Sequence, residues 1–175
     1  MRLFIAFDIP EKIKKQFVSI KEKIKTKAKI KWVSLENIHL TLKFLGEVAD
    51  EKINEIKRRL SNVKFKKFDV EVSGIGVFPS ENYIRVIWVG LRDSTSMFDL
   101  AKEINKQLPE FKNDYPFKAH ITIGRVKTIK DREELVKELR KIKIVPQRFS
   151  VKEFKLYKST LTSKGPVYLE LAKFP

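Results

Sequence analysis

The chain has no cysteine, which excludes disulfides and thiolate metal sites together. Histidine is nearly absent, with two residues in 175. A zinc site would need carboxylates to complete it, and none stands at helical ligand spacing from either histidine. Glycine is scarce, at six residues, and forms neither a P-loop nor a G-x-G-x-x-G turn, so no nucleotide cofactor is indicated. Apolar runs such as Val86 to Leu91 are far too short to span a bilayer. The first ten residues contain Asp8 and lack a small-residue cleavage site, unlike a signal peptide. A cytoplasmic protein with no membrane partner is expected, with a monomer favoured. Acid is short relative to base: 22 Asp plus Glu oppose 38 Lys plus Arg, a formal charge of +16. Abundant Lys and Glu suit a heat-adapted surface, but heat adaptation raises both signs, and here one dominates. Such an excess concentrates polyanions and speeds their capture. Nucleic acid is the first candidate, of a kind that composition does not specify.

What is present is a motif written twice. His39-Leu40-Thr41-Leu42 returns as His120-Ile121-Thr122-Ile123, from position 39 to 120, a step of 81, and no histidine lies outside the pair. In a strand, side chains alternate between faces. Each copy therefore offers an imidazole and a hydroxyl on one face and two apolar anchors on the other. A lone H-x-T is usually an ordinary strand segment. At the same step, however, Asp50 matches Asp131, Phe68 matches Phe149, Val70 matches Val151 and Val86 matches Val167. This is the mark of an internal duplication of a whole unit, covering about 34–91 and 115–172.

In chain order, Arg2–Ile9 reads as a strand buried on both faces. Pro10 then opens an amphipathic helix carrying Ile13, Phe17, Ile20 and Ile24, with lysines outside. Trp32 and Val33 lead into the first motif strand, Ile38–Leu45, which Gly46 closes. Asp50 is expected to cap a helix with Ile53, Ile56 and Leu60. Two strands, Phe68–Phe78 and Tyr83–Leu91, flank a turn at Pro79–Asn82. A helix over Ser94–Leu108 precedes the second motif strand, Lys118–Val126. Asp131 caps a helix with Leu135 and Leu139, and strands Phe149–Leu156 and Val167–Phe174 follow, joined by a loop over Thr160–Pro166. The expected architecture is α+β, one bilobal domain over 1–175: two similar lobes, each an antiparallel sheet backed by helices, with the motif strands facing across a central cleft.

Beyond the paired motifs, Arg2-Leu3-Phe4-Ile5-Ala6, Trp32-Val33, Lys43-Phe44-Leu45-Gly46, Gly76-Val77-Phe78-Pro79, Arg125 and Gly165-Pro166-Val167-Tyr168 complete a framework spanning nearly the whole chain. It resembles the RNA 2',3'-cyclic phosphodiesterase family, also known as 2'-5' RNA ligases, of the 2H phosphoesterase superfamily. The resemblance implies metal-free hydrolysis of RNA 2',3'-cyclic phosphate ends to 2'-phosphates. His39 would be the proton donor to the departing 3' oxygen and His120 the acceptor from water. It also implies a phosphate or RNA contact at Arg125.

The residue chemistry agrees with that implication. Opening a cyclic phosphate in line requires one group to remove a proton from water and another to protonate the leaving oxygen. An ordinary histidine pKa near 6.5 suits either duty. Thr41 and Thr122 can donate to the non-bridging phosphate oxygens. The two motifs are too alike for the residues alone to assign donor and acceptor. Strict alternation puts Lys43 on the cleft face as a phosphate contact, weighed against an ordinary surface lysine. Arg125 has the wrong parity unless a bulge at Gly124 turns it inward. Two other functions stay open: 2'-5' ligation of a cyclic phosphate end to a 5'-hydroxyl, as in tRNA fragments, and a non-catalytic RNA-binding module.

Overall fold

The protein is described here from a computed structural model covering residues 1–92, 95–112, 116–163 and 165–175. Strand β1 (Arg2–Asp8) is the expected all-apolar run, and Leu3 to Phe7 are buried. It needs burial on both faces because it lies inside a four-stranded antiparallel sheet of order β3-β1-β8-β9. The flanking strands are β3 (His39–Glu47), β8 (Phe154–Thr162) and β9 (Gly165–Phe174). A second, five-stranded antiparallel sheet has the order β2-β6-β5-β4-β7. It comprises β2 (Ala28–Trp32), β4 (Phe68–Ser80), β5 (Tyr83–Arg92), β6 (His120–Ile129) and β7 (Arg148–Val151). The stretches 34–91 and 115–172 each send strands to both sheets, and β1 lies between β3 on one side and β8, from the far end of the chain, on the other.

The helices bear on the sheets as the apolar spacing requires. In α1 (Glu11–Val18) and α2 (Ile20–Lys23), Ile13, Phe17 and Ile20 are buried. The expected single helix breaks at Ser19, whose hydroxyl donates to the Gln16 carbonyl at 2.8 Å, and Ile24 falls beyond it. Asp50 does not cap α3 (Ile53–Leu60); it opens a 3-10 turn over Asp50–Lys52, and its carboxylate lies 3.8 Å from the chain's amino group. Asp131 does cap α5 (Arg132–Lys141), accepting from the Glu134 amide at 2.9 Å. Helix α4 (Thr95–Gln107) buries Met97, Leu100, Ala101 and Ile104, with Leu108 buried just beyond. Ser94, the expected helix start, and Lys164, in the expected last loop, lie outside the described residues.

Three strand expectations change. The turn expected over Pro79–Asn82 is shorter, because β4 runs on through Ser80, which pairs with Tyr83. Phe149–Leu156 is two strands, since β7 pairs with β4 in one sheet and β8 with β1 in the other. Lys152 and Glu153 carry the chain between them. The last hairpin is tighter than expected, with Thr162 opposite Gly165. Gly165 has φ +134° there, a backbone suited to glycine.

The two motif strands share one irregularity. In β3, Ile5 faces Lys43 and Ala6 faces Thr41, leaving Leu42 as the extra residue. In β6, Ile87 faces Gly124 and Trp88 faces Thr122, leaving Ile123 extra. Each bulge turns the strand after it by half a period.

Candidate active site

Both motifs sit where their strands approach one another between the sheets, as packed neighbours that do not pair. His39 and His120 are half-buried, while Leu40, Leu42, Ile121 and Ile123 are buried behind them. The His39 Nδ1 donates to the Asn37 carbonyl at 2.7 Å, and the His120 Nδ1 donates to the Lys118 carbonyl at 2.6 Å. A carbonyl can only accept, so each neutral ring carries its proton on Nδ1 and leaves Nε2 bare. The His39 Nε2 lies 3.0 Å from the Thr41 hydroxyl, which donates to it in that state.

Aromatic walls fix each ring. Phe4 and Tyr168 lie 5.0 and 5.3 Å from His39 between ring centroids. Phe78 and Trp88 lie 4.9 and 6.5 Å from His120. Gly76 makes room for the Trp88 indole, since a β-carbon there would stand 2.1 Å from the ring. These walls make the charged imidazole costly. Burial pushes His39 down to about 4, against the upward pull of the Asn37 carbonyl and the Asp8 carboxylate. His120 is also lowered, first by burial and further by the cations of Arg125 and Lys118.

The bulges decide the two basic candidates in opposite ways. Arg125 is exposed after the turn at Ile123-Gly124, and its charge acts on His39, His120 and Tyr168. It therefore stands near both motifs. Lys43 is turned away from the cleft, contrary to strict alternation. It is 3% exposed, and its Nζ donates to Asn105 Oδ1 and, at 2.5 Å, to the Phe111 carbonyl. The matching bulge at Leu42 buries it under α4 and brings Phe44 out in its place, 59% exposed.

A cluster invisible in the linear motif surrounds His39. Asp8 is its cross-strand partner on β1, whereas Gly90 is the partner of His120 on β5. Asp8 accepts from Lys155 Nζ and Tyr157 OH, each at 2.7 Å. Burial opposes its charge, but these two hydrogen bonds outweigh it and hold the carboxyl below its usual range. Asp8, Asn37 and His39 line an open cleft of about 320 Å³ together with Phe4, Tyr157 and Tyr168. Asp8 gave no sequence signal beyond standing as an acid at the end of an apolar strand.

The sequence profile of the LigT like phosphoesterase family matches residues 7–88 and 90–168. The chain belongs to this family. A Methanocaldococcus jannaschii relative named RNA 2',3'-cyclic phosphodiesterase is 43% identical over 171 residues, 96% of each chain. A Thermotoga maritima relative of the same name is 42% identical over 96% of this chain and 91% of its own. Among solved structures, a Thermus thermophilus protein superposes with a TM-score of 0.82 at 28% identity, covering 99% of this chain and 97% of that one. Escherichia coli LigT complexed with 3'-AMP gives 0.76 at 27% identity, over 99% and 96%. The two-sheet α+β architecture is thus that of LigT-like 2H phosphoesterases, and the protein is an enzyme of the phosphoesterase class.

Proposed function

We propose that this phosphoesterase hydrolyses the 2',3'-cyclic phosphate at an RNA end to a 2'-phosphomonoester. The observation that carries the reading is the convergence of the two H-x-T strands around Arg125, whose charge acts on both imidazoles. The names of the relatives support the substrate class. In the step proposed, His120 Nε2 takes a proton from water, whose oxygen attacks phosphorus in line. The bond from phosphorus to the 3' oxygen breaks, and that oxygen takes the proton from His39 Nε2. Thr41, Thr122 and Arg125 bind the non-bridging oxygens as charge accumulates on them.

The bare Nε2 of His120 suits a base, since its Nδ1 is already committed to the Lys118 carbonyl. His39 must enter as the imidazolium, and the Asp8 carboxylate across the strand favours that charge. The proposed protein needs no metal: the proton from His39 does the work a Lewis acid would do on the leaving oxygen. Incubation with an oligonucleotide bearing a 2',3'-cyclic phosphate, in chelator, should give the 2'-phosphate. No product, or product only when divalent metal is returned, overturns the proposal. Adding an RNA with a free 5'-hydroxyl to the same assay reads the ligation alternative.

A further inference from the structure

The second sheet carries a basic edge that the catalytic reading does not use. Residues 23–35 contain five lysines and residues 116–130 contain Lys118, Arg125, Lys127 and Lys130, with no Asp or Glu in either stretch. The fold pairs these stretches as β2 and β6, with β2 at the sheet's edge. Ile30 and Trp32 pack toward the core, so Lys29 and Lys31 face outward. Lys31 is the cross-strand partner of Arg125, and Lys29 that of Thr128. Cross-strand partners share a face, so a line of cations runs from the histidines through Arg125 and Lys31 to Lys29.

Among the described residues, Lys29, Lys31, Arg125 and Lys127 form no ion pair. The Lys31 Nζ lies 3.5 Å from where a β-carbon on Gly165 would sit, which places it beside the β8–β9 turn, next in the chain to Pro166 and Val167 of the cleft lining. An acid does stand near the far end, but Glu138 is engaged by Thr26 and by the amides of Lys25 and Thr26. From Thr122 to Thr128 the strand advances about 20 Å at ~3.3 Å per residue, room for a few nucleotides.

We propose that this β2–β6 edge is a track for the single-stranded RNA that lies 5' of the cyclic phosphate, with Lys29 and Lys31 holding its phosphates. The inference rests on the phosphodiesterase reading for the position of the RNA end. The competing role for these lysines is protection of an edge strand from pairing with another chain. Charge of either sign would serve that role, but only positive charge serves a track.

The test is therefore the charge-reversed variant K29E/K31E. It is compared with the parent on a 2',3'-cyclic mononucleotide and on a single-stranded oligonucleotide with a 2',3'-cyclic phosphate end, across a salt series. Each phosphate contact contributes about 0.7 to the slope of log affinity against log salt, or about fivefold at 0.1 M. Two lost contacts should lower kcat/KM on the oligonucleotide at least about 25-fold at 0.1 M salt and flatten its slope by about 1.4. Turnover of the mononucleotide should not change. An unchanged oligonucleotide rate would leave edge protection as the role of the lysines and overturn the track. Equal losses on both substrates would overturn it too, by showing an effect on the site itself. If the parent turns over neither substrate, the phosphodiesterase reading fails instead. Fluorescence anisotropy with a 3'-phosphorylated single strand then still reads the track, which requires weaker binding by K29E/K31E.

Discussion

The depressed pKa of His39 leads to a quantitative expectation about how the acid is charged. With the cleft empty, a value of about 4 leaves roughly one ring in a thousand protonated at pH 7, too few for an efficient donor. A phosphate brings its own compensation. One negative charge about 4 Å from the ring, at an effective dielectric constant of about 20, contributes about 4 kcal/mol. At 1.36 kcal/mol per unit, that raises the pKa by about 3, returning His39 to about 7. The substrate would then create the acid that acts on it. Imidazole NMR titration of the protein, alone and saturated with inorganic phosphate, measures this directly. His39 should stay neutral down to about pH 5 when free and should titrate near neutrality when phosphate is bound. The limb of the kcat profile that reports loss of the acid should likewise lie near neutral pH. A His39 that is charged above pH 6 in the free protein would refute the reasoning. So would one that phosphate leaves unmoved.

Replacing either His39 or His120 with Ala should lower turnover by about 10²–10⁴-fold, and the double variant should lose far less than the product, because both act in one step. A substrate with a better leaving group should rescue His39→Ala more than His120→Ala; the opposite order would reverse the assigned roles. Lys43→Met should lower the melting temperature, because Asn105 and the Phe111 carbonyl lose their donor, yet leave kcat on a cyclic mononucleotide within about twofold; a large kcat loss would restore Lys43 to the site. Gly76→Ala should displace Trp88 from beneath His120 and cost about 1–3 kcal/mol of stability, as read by denaturant unfolding. An unchanged midpoint would mean the strand moves aside without strain.

The linear sequence determined whatever depends on period and repetition. The two H-x-T strands, their buried anchors and the Asp131 cap were legible because strand alternation and capping are local. The α+β class followed from the order of strand and helix patterns. Strand β2 went unrecognised although Lys29-Ile30-Lys31-Trp32 alternates, because four residues of period two are faint beside the lysine-rich helix before them. Tertiary structure alone decided three things. Bulges at Leu42 and Ile123 reverse the facing of the residues that directly follow, so Lys43 is buried under α4 and Arg125 is exposed on the side of the histidines; one extra residue in a ladder appears only once the partner strand is known. The return of β8 and β9 to β1 gathers Asp8, Lys155 and Tyr157 from opposite ends of the chain. That gathering also breaks the symmetry of the repeat. His39 gains a carboxylate across its strand and His120 a glycine, so two nearly identical motifs acquire different electrostatic surroundings.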